Sequence, residues 1–197
     1  MEGLSREEHL EELSLIQRAT QGEAAAWEPL MLAHQEPVFR FAYLFLGDPD
    51  DAEDVTQETF LRAWYNLKRF DPTRPLKPWL LSIAANLARN RRRSAARYLA
   101  VLTRSFRVDP PTGSTVEEKS ALGQEARQLW MAVRRLNLDD QQVIYLRFFL
   151  ELSTAEASQA LDVAEGTVKS RLSRALVRLR AVIETDFPML SEGQEHG

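Results

Sequence analysis

Leu152-Ser153-Thr154-Ala155-Glu156-Ala157-Ser158-Gln159-Ala160-Leu161-Asp162-Val163-Ala164-Glu165-Gly166-Thr167-Val168-Lys169-Ser170-Arg171-Leu172-Ser173-Arg174-Ala175 reads as a short helix, a tight turn and a longer basic helix. That is the pattern of a helix-turn-helix, whose second helix enters the major groove of duplex DNA. In that second helix Val168, Leu172, Ala175, Leu176 and Leu179 recur at helical spacing and form one apolar stripe. At about 100° per residue, Gly166, Ser170, Ser173, Arg174 and Val177 fall on the opposite face. Thr167, Lys169, Arg171 and Arg178 flank it. No acid follows Glu165 until Glu184. Small polar side chains and long cations turned away from a core suit a groove, where Ser and Lys reach base edges and Arg forks onto guanine or phosphate. The plainer alternative is a solvated amphipathic helix, which the preceding short helix and turn make less attractive.

The chain has 197 residues, 44% of them hydrophobic, enough for one or two small helical domains with real cores. It has no cysteine, which excludes disulfide staples and thiolate metal sites. The acidic N-terminal stretch lacks a signal peptide's apolar run, and no segment is apolar enough to span a membrane. A cytoplasmic protein with no membrane insertion of its own is the expectation. The net charge of −4 does not by itself suit a nucleic-acid partner, but its distribution is uneven. Acids crowd the first sixty residues. Between Asp71 and Asp109 there is none, while Arg74, Lys77, Arg89, Arg91, Arg92, Arg93, Arg97, Arg104 and Arg107 all fall there. Such asymmetry predicts one surface for an acidic polymer and another for a different partner.

Almost everything patterns as helix, so the expected fold class is all-α, with two small helical domains joined by a flexible linker. Helices are predicted over 10–20 and 24–33, then over 37–46 with Pro37 in the first turn. Gly47-Asp48-Pro49-Asp50 is a turn, and 51–67 a helix with acids in its first turn. The proline-rich stretch from Phe70 to Pro78 is a loop, and Pro78 opens a helix that runs into the Arg cluster. The domain boundaries expected are 1–97, a linker over 98–122 containing Pro110 and Pro111, and 123–197 with the helix-turn-helix.

On the 51–67 helix Ala52, Val55, Thr59, Ala63 and Leu67 point one way, and Asp54, Gln57, Glu58 and Leu61 the other. An exposed leucine among acids suggests a protein interface, or simply a solvated face. Further on, the acid-free helix interleaves Trp79 with arginines. Trp79 there is either a core anchor beside Leu80 and Ile83 or a platform for an unpaired base.

Taken in order, the Asp51–Trp64 stretch, Phe70-Asp71-Pro72, Pro78-Trp79-Leu80, Ala85-Asn86-Leu87-Ala88 with the Arg cluster, and Gly166-Thr167-Val168-Lys169-Ser170-Arg171 together resemble the extracytoplasmic-function group of bacterial sigma factors. The resemblance spans about Leu15 to Ile183. It implies a dissociable promoter-specificity subunit of RNA polymerase, with core polymerase (the clamp coiled coil of its largest subunit, and its flap), promoter DNA and an anti-sigma protein as partners. Asp54, Gln57, Glu58 and Leu61 would grip the clamp. Trp79, Asn86, Arg89, Arg91, Arg92 and Arg93 would bind and melt the −10 element. Lys169, Ser170, Ser173 and Arg174 would face bases of the −35 element, with Thr167, Arg171 and Arg178 toward phosphates. The linker would thread toward the active-site channel. The chain departs from the family pattern at Ala85, where an Arg commonly precedes the Asn. It departs also at Asn137 and Gln141, for a usual Pro and Arg, and at Ala157-Ser158 for a usual Ile-Ala.

Enzymatic readings find no support. His9, His34 and His196 share no metal-ligand spacing. The acidic run from Asp48 lacks an EF-hand's central Gly and closing Glu, so a turn with a helix cap is expected instead. No phosphate-cradling loop or nucleophile elbow is present. No cofactor is expected, and catalysis would belong to the polymerase. The alternative function is a stand-alone helix-turn-helix regulator with an N-terminal sensing or dimerisation domain.

Overall fold

Residues 6–105 and 123–192 are described by the computed structural model, and every regular element among them is helical. α1 (Arg6–Thr20) turns at Gly22, which takes φ 94°, into α2 (Ala24–Leu46). The separate helices expected over 24–33 and 37–46 are one, unbroken through Pro29 and Pro37. A mid-helix proline frees the carbonyl four residues earlier. Here those carbonyls belong to Ala25 and Ala33, both exposed, so water can serve them. The buried stripe Ala26, Leu30, His34, Val38, Phe41, Ala42 and Phe45 meanwhile continues without a break. His34 Nε2 lies 2.8 Å from Glu12 Oε1 and ties α1 to α2.

α2 stops at Gly47, whose φ of 80° favours glycine and whose N–H donates to Tyr43 O at 2.8 Å. α3 (Pro49–Asn66) follows at once. Asp48 caps it by accepting from the Asp51 N–H at 2.8 Å, with Pro49 in the first turn. The acidic run is thus a turn and a cap. A short 3₁₀ turn, Leu67–Arg69, leads to a loop in which Asp71 accepts from both the N–H and the hydroxyl of Thr73. α4 (Leu76–Ser105) starts two residues before Pro78 and continues past the boundary expected at residue 97. The rest of the expected linker, 106–122, lies outside the described residues.

The second unit comprises α5 (Gln124–Arg134), α6 (Leu138–Ile144), a π-turn over Tyr145–Phe149, α7 (Thr154–Leu161), α8 (Glu165–Asp186) and α9 (Met189–Glu192). Asn137, where the family usually has proline, caps α6 by accepting from Asp140 N–H at 3.0 Å. α7 opens with a reciprocal capping box. Glu156 N–H donates to Ser153 Oγ, and Ser153 N–H donates to Glu156 Oε2. Asp162 ends it with φ 52°, and the chain re-enters helix at Glu165. Val168, Ala175 and Leu179 are buried and Leu172 half-buried, as the stripe predicts, but Leu176 lies at the edge and is exposed.

Two consequences are measurable. Removing one hydroxyl of the capping box, Ser153→Ala, should cost about 1 kcal/mol and lower the thermal midpoint of the chain, followed by circular dichroism. Ser158→Ala, whose hydroxyl only returns to Ala155 O within the same helix, should stay within about 0.5 kcal/mol of the parent.

Candidate functional site

The outward face of α3 and the neighbouring face of α2 enclose an apolar groove of about 930 Å³. Trp27, Met31 and Phe39 line it from α2, and Phe60, Leu61 and Trp64 from α3. Trp27 sits edge-on to Phe60, centroids 6.2 Å apart, and 5.7 Å from Trp64. Glu36, Glu53 and Gln57 also border the groove. Leu61, 48% exposed, is an apolar group a partner can cover. Of the four α3 residues expected at a protein interface, the structure brings Gln57 and Leu61 into the groove. Glu58 turns aside to Arg62 at 2.7 Å, and Asp54 faces α4, where it accepts from Arg91 at 2.9 Å. Trp27, Met31 and Phe39 were missed by the sequence reading. Their helical spacing marks a second apolar stripe on α2, hidden once α2 is divided at Pro37.

The other edge of α3 borders a smaller pocket of about 360 Å³, lined by Arg62, Asn66, Arg69, Trp79, Ile83 and Asn86. Trp79 is in part the core anchor weighed for it. One side packs on Phe70, ring centroids 4.8 Å apart, and the residue remains half-buried at the pocket wall. Arg62, Asn66 and Arg69 join Trp79 and Asn86 only through the fold, since the α3–α4 loop separates them in sequence.

The arginine cluster does not form one surface. Arg91 turns to α3, donating to Asp51 at 2.8 Å and Asp54 at 2.9 Å, and these carboxylates raise its pKa above the usual guanidinium value. Arg92 turns inward. It donates to Phe45 O at 3.1 Å and Gln141 Oε1 at 2.6 Å and lies over the Phe45 ring. Burial, with Arg134 nearby, lowers its pKa. Arg89 pairs with Asp139 at 2.8 Å and donates to Gln142. Asn86 and Arg93 are exposed.

On α8, Lys169, Ser170, Ser173 and Arg174 are exposed together. Arg174 Nε donates to Ser170 O at 3.2 Å, which leaves the end of its guanidinium outward. Thr167 and Arg171 are half-buried. Arg171 leans toward Asp139 at 4.0 Å, and Arg178 grips the buried Asp140 at 2.6 Å. The two arginines expected at phosphates therefore also hold α8 against α6.

Among the described residues no group of three or more His, Asp or Glu side chains is placed to hold a metal, and no helix is long and apolar enough to cross a membrane.

Two family models match the chain, sigma-70 region 2 over residues 30–98 and sigma-70 region 4 over residues 126–179. The first covers the pocket, the arginine cluster and the groove apart from Ala24 and Trp27; the second covers most of α5 to most of α8. The ECF RNA polymerase sigma factor SigL of Mycobacterium tuberculosis is 34% identical over 173 residues, covering 87% of this chain and 97% of its own length. Among solved structures, CnrH in complex with the cytosolic domain of CnrY is 27% identical with a TM-score of 0.67, covering 89% of this chain and 99% of that one. The sigma factor RpoE in complex with the anti-sigma factor NepR from Bartonella quintana is 26% identical with a TM-score of 0.62, covering 81% of this chain and 97% of that one. With two matched regions in the right order and a relative aligned along nearly its whole length, the chain belongs to the extracytoplasmic-function group of the sigma-70 family of RNA polymerase sigma factors.

Proposed function

We propose that this promoter-specificity subunit of RNA polymerase divides its work among three surfaces: the α2–α3 groove for the polymerase, the α3–α4 pocket for an unpaired base, and α8 for duplex DNA. The observation that carries the proposal is that α3 supplies a wall to both the groove and the pocket. A polymerase element seated on one edge of α3 fixes the other edge, where a melted strand must be held.

The groove suits the clamp coiled coil. Its apolar floor buries a helix ridge, and Glu36, Glu53 and Gln57 select a partner with basic or amide side chains. Asp54 then contributes through Arg91, by keeping that cation on α3, as much as by direct contact. In the pocket, Trp79 offers a face for stacking, a contribution of about 1–3 kcal/mol per base. The Asn86 amide can donate and accept at a base edge, and Arg62 and Arg69 supply charge for the flanking phosphates. On α8, Lys169, Ser170, Ser173 and Arg174 read bases of the −35 element. Arg171 and Arg178 orient the helix. Bond making stays with the polymerase. An anti-sigma protein is the further partner proposed, supported by the NepR complex of the related RpoE.

Leu61→Asp places a charge on an exposed position of the groove, so the chain should fold normally yet lose affinity for core polymerase by tenfold or more, read by co-elution and by competition with a labelled sigma factor. Undiminished binding would remove the groove from the interface.

Asn86→Ala should leave polymerase binding and −35 protection intact and reduce open-complex formation, read by permanganate reactivity of the −10 region. Normal melting would assign the pocket to structure alone.

The α8 arginines separate by mechanism. Arg174→Ala should relax base preference at one −35 position by about 1–3 kcal/mol with an unchanged thermal midpoint. Arg178→Ala should lower the midpoint, because it strips a charged partner from the buried Asp140. Footprints on a promoter library and thermal melts of both variants decide this.

A further inference from the structure

Four guanidiniums line a recess of about 420 Å³ where α4, α6 and α8 meet. Arg93 reaches it from α4, and Arg171, Arg174 and Arg178 from α8. The three on α8 recur at spacings of three and four and so share one edge of that helix. Arg93 joins them only through the fold. The start of α6 completes the wall.

The carboxylates of that wall do not neutralise the set. Asp140 is 2% exposed and its Oδ2 is fully engaged, accepting from Arg178 at 2.6 Å and from Asn137 Nδ2 at 2.8 Å. Asp139 pairs with Arg89 at 2.8 Å, a cation that does not line the recess, and lies 4.0 Å from Arg171. Counting Arg89, five guanidiniums meet two carboxylates. Arg93 is exposed and has no hydrogen-bond or ion-pair partner among the described residues. Arg174 engages only its Nε, on Ser170 O at 3.2 Å, which leaves both terminal nitrogens open.

Like charges gathered in one recess repel until an anion joins them. Guanidinium forks match the oxygens of carboxylates and phosphates. One carboxylate offers two oxygens, too few for cations arriving from two helices, whereas linked phosphates present oxygens to each. The volume is that of a small-molecule site. Among the described residues Leu138 is the one apolar side chain in its lining, and no aromatic ring is there to stack on a nucleobase.

We propose that this recess binds a short phosphate chain, a di- or triphosphate, held between Arg93 of α4 and Arg171, Arg174 and Arg178 of α8. Inorganic chains and the phosphate end of a nucleotide share this chemistry. Because Arg174 also belongs to the surface assigned to the −35 element, a bound phosphate chain and a −35 duplex compete for α8. That consequence rests on the reading of α8 given above; the site itself does not.

Calorimetric titration of the full chain with inorganic tripolyphosphate tests the site without DNA. Tripolyphosphate should bind at least tenfold more tightly than orthophosphate and raise the thermal midpoint of the chain. Arg93→Gln and Arg174→Gln, both at exposed positions, should each weaken binding tenfold or more with helical content retained. Arg93→Lys should keep part of the affinity, since the charge stays and the fork is lost. Arg180→Gln removes an exposed cation of α8 outside the recess and should change affinity less than twofold. ATP and GTP separate the sources. Affinities equal to that of tripolyphosphate support recognition of the phosphate chain alone, and a tenfold preference for either nucleotide supports the nucleotide as its source. Absence of binding overturns the site. So do equal losses in Arg93→Gln and Arg180→Gln, which mark general attraction to a basic surface. Competition is read from the anisotropy of a labelled −35 duplex. Saturating tripolyphosphate should weaken duplex binding tenfold where sulfate at equal ionic strength does not, and unchanged duplex binding overturns the competition. A chain that binds tripolyphosphate but no duplex at all overturns the reading of α8 and not the site.

Discussion

The last turn of α2 needs hydrogen-bond donors, and much of the molecule is arranged around supplying them. A helix leaves its final carbonyls without partners inside the helix. Here the Tyr43 carbonyl takes the N–H of Gly47, Leu44 takes the indole of Trp130, and Phe45 takes Arg92. The first of these turns the chain into α3 and so sets the groove. The second binds the C-terminal unit. The third anchors α4 at the middle of its arginine cluster, where a cation also suits the negative end of the α2 dipole. One helix end therefore joins the α2–α3 groove, the arginine-bearing helix α4 and the junction between units.

Arg91, Arg92 and Arg93 show how tertiary context divides a charge run. Neighbouring residues on a helix point about 100° apart, so three in a row cannot share a surface. α3 offers Arg91 two carboxylates, the α2 terminus and Gln141 take Arg92, and solvent takes Arg93. The run was legible in the sequence as a basic segment. Its division was not, because the partners lie some forty or fifty residues away.

Elements whose signals are local were legible: the turn and cap in the acidic run from Asp48, the α8 stripe and the exposed face opposite it. Readings that treated a local signal as decisive failed where packing outweighed it. Pro37 suggested a helix start, yet the buried stripe from Ala26 to Phe45 holds α2 together through it. Leu176 matched the apolar period but sits at the edge of the stripe. The positions where the chain departs from its family pattern acquire a physical reason only in three dimensions. Asn137 caps α6, Gln141 meets Arg92 without the repulsion an arginine would bring, and Ala85 is small and buried where α4 packs close to α7.

The chemistry chosen for the junction bears on how it can act. A row of carboxylates against Arg89 and Arg92 would pair charge with charge and hold the units together more strongly. Amides satisfy the same donors with no charge of their own. Asp139 is the exception, and at 47% side-chain exposure it already meets solvent. The junction thus combines an apolar contact, Trp130 on Tyr43, with polar contacts in which most of the acceptors are uncharged.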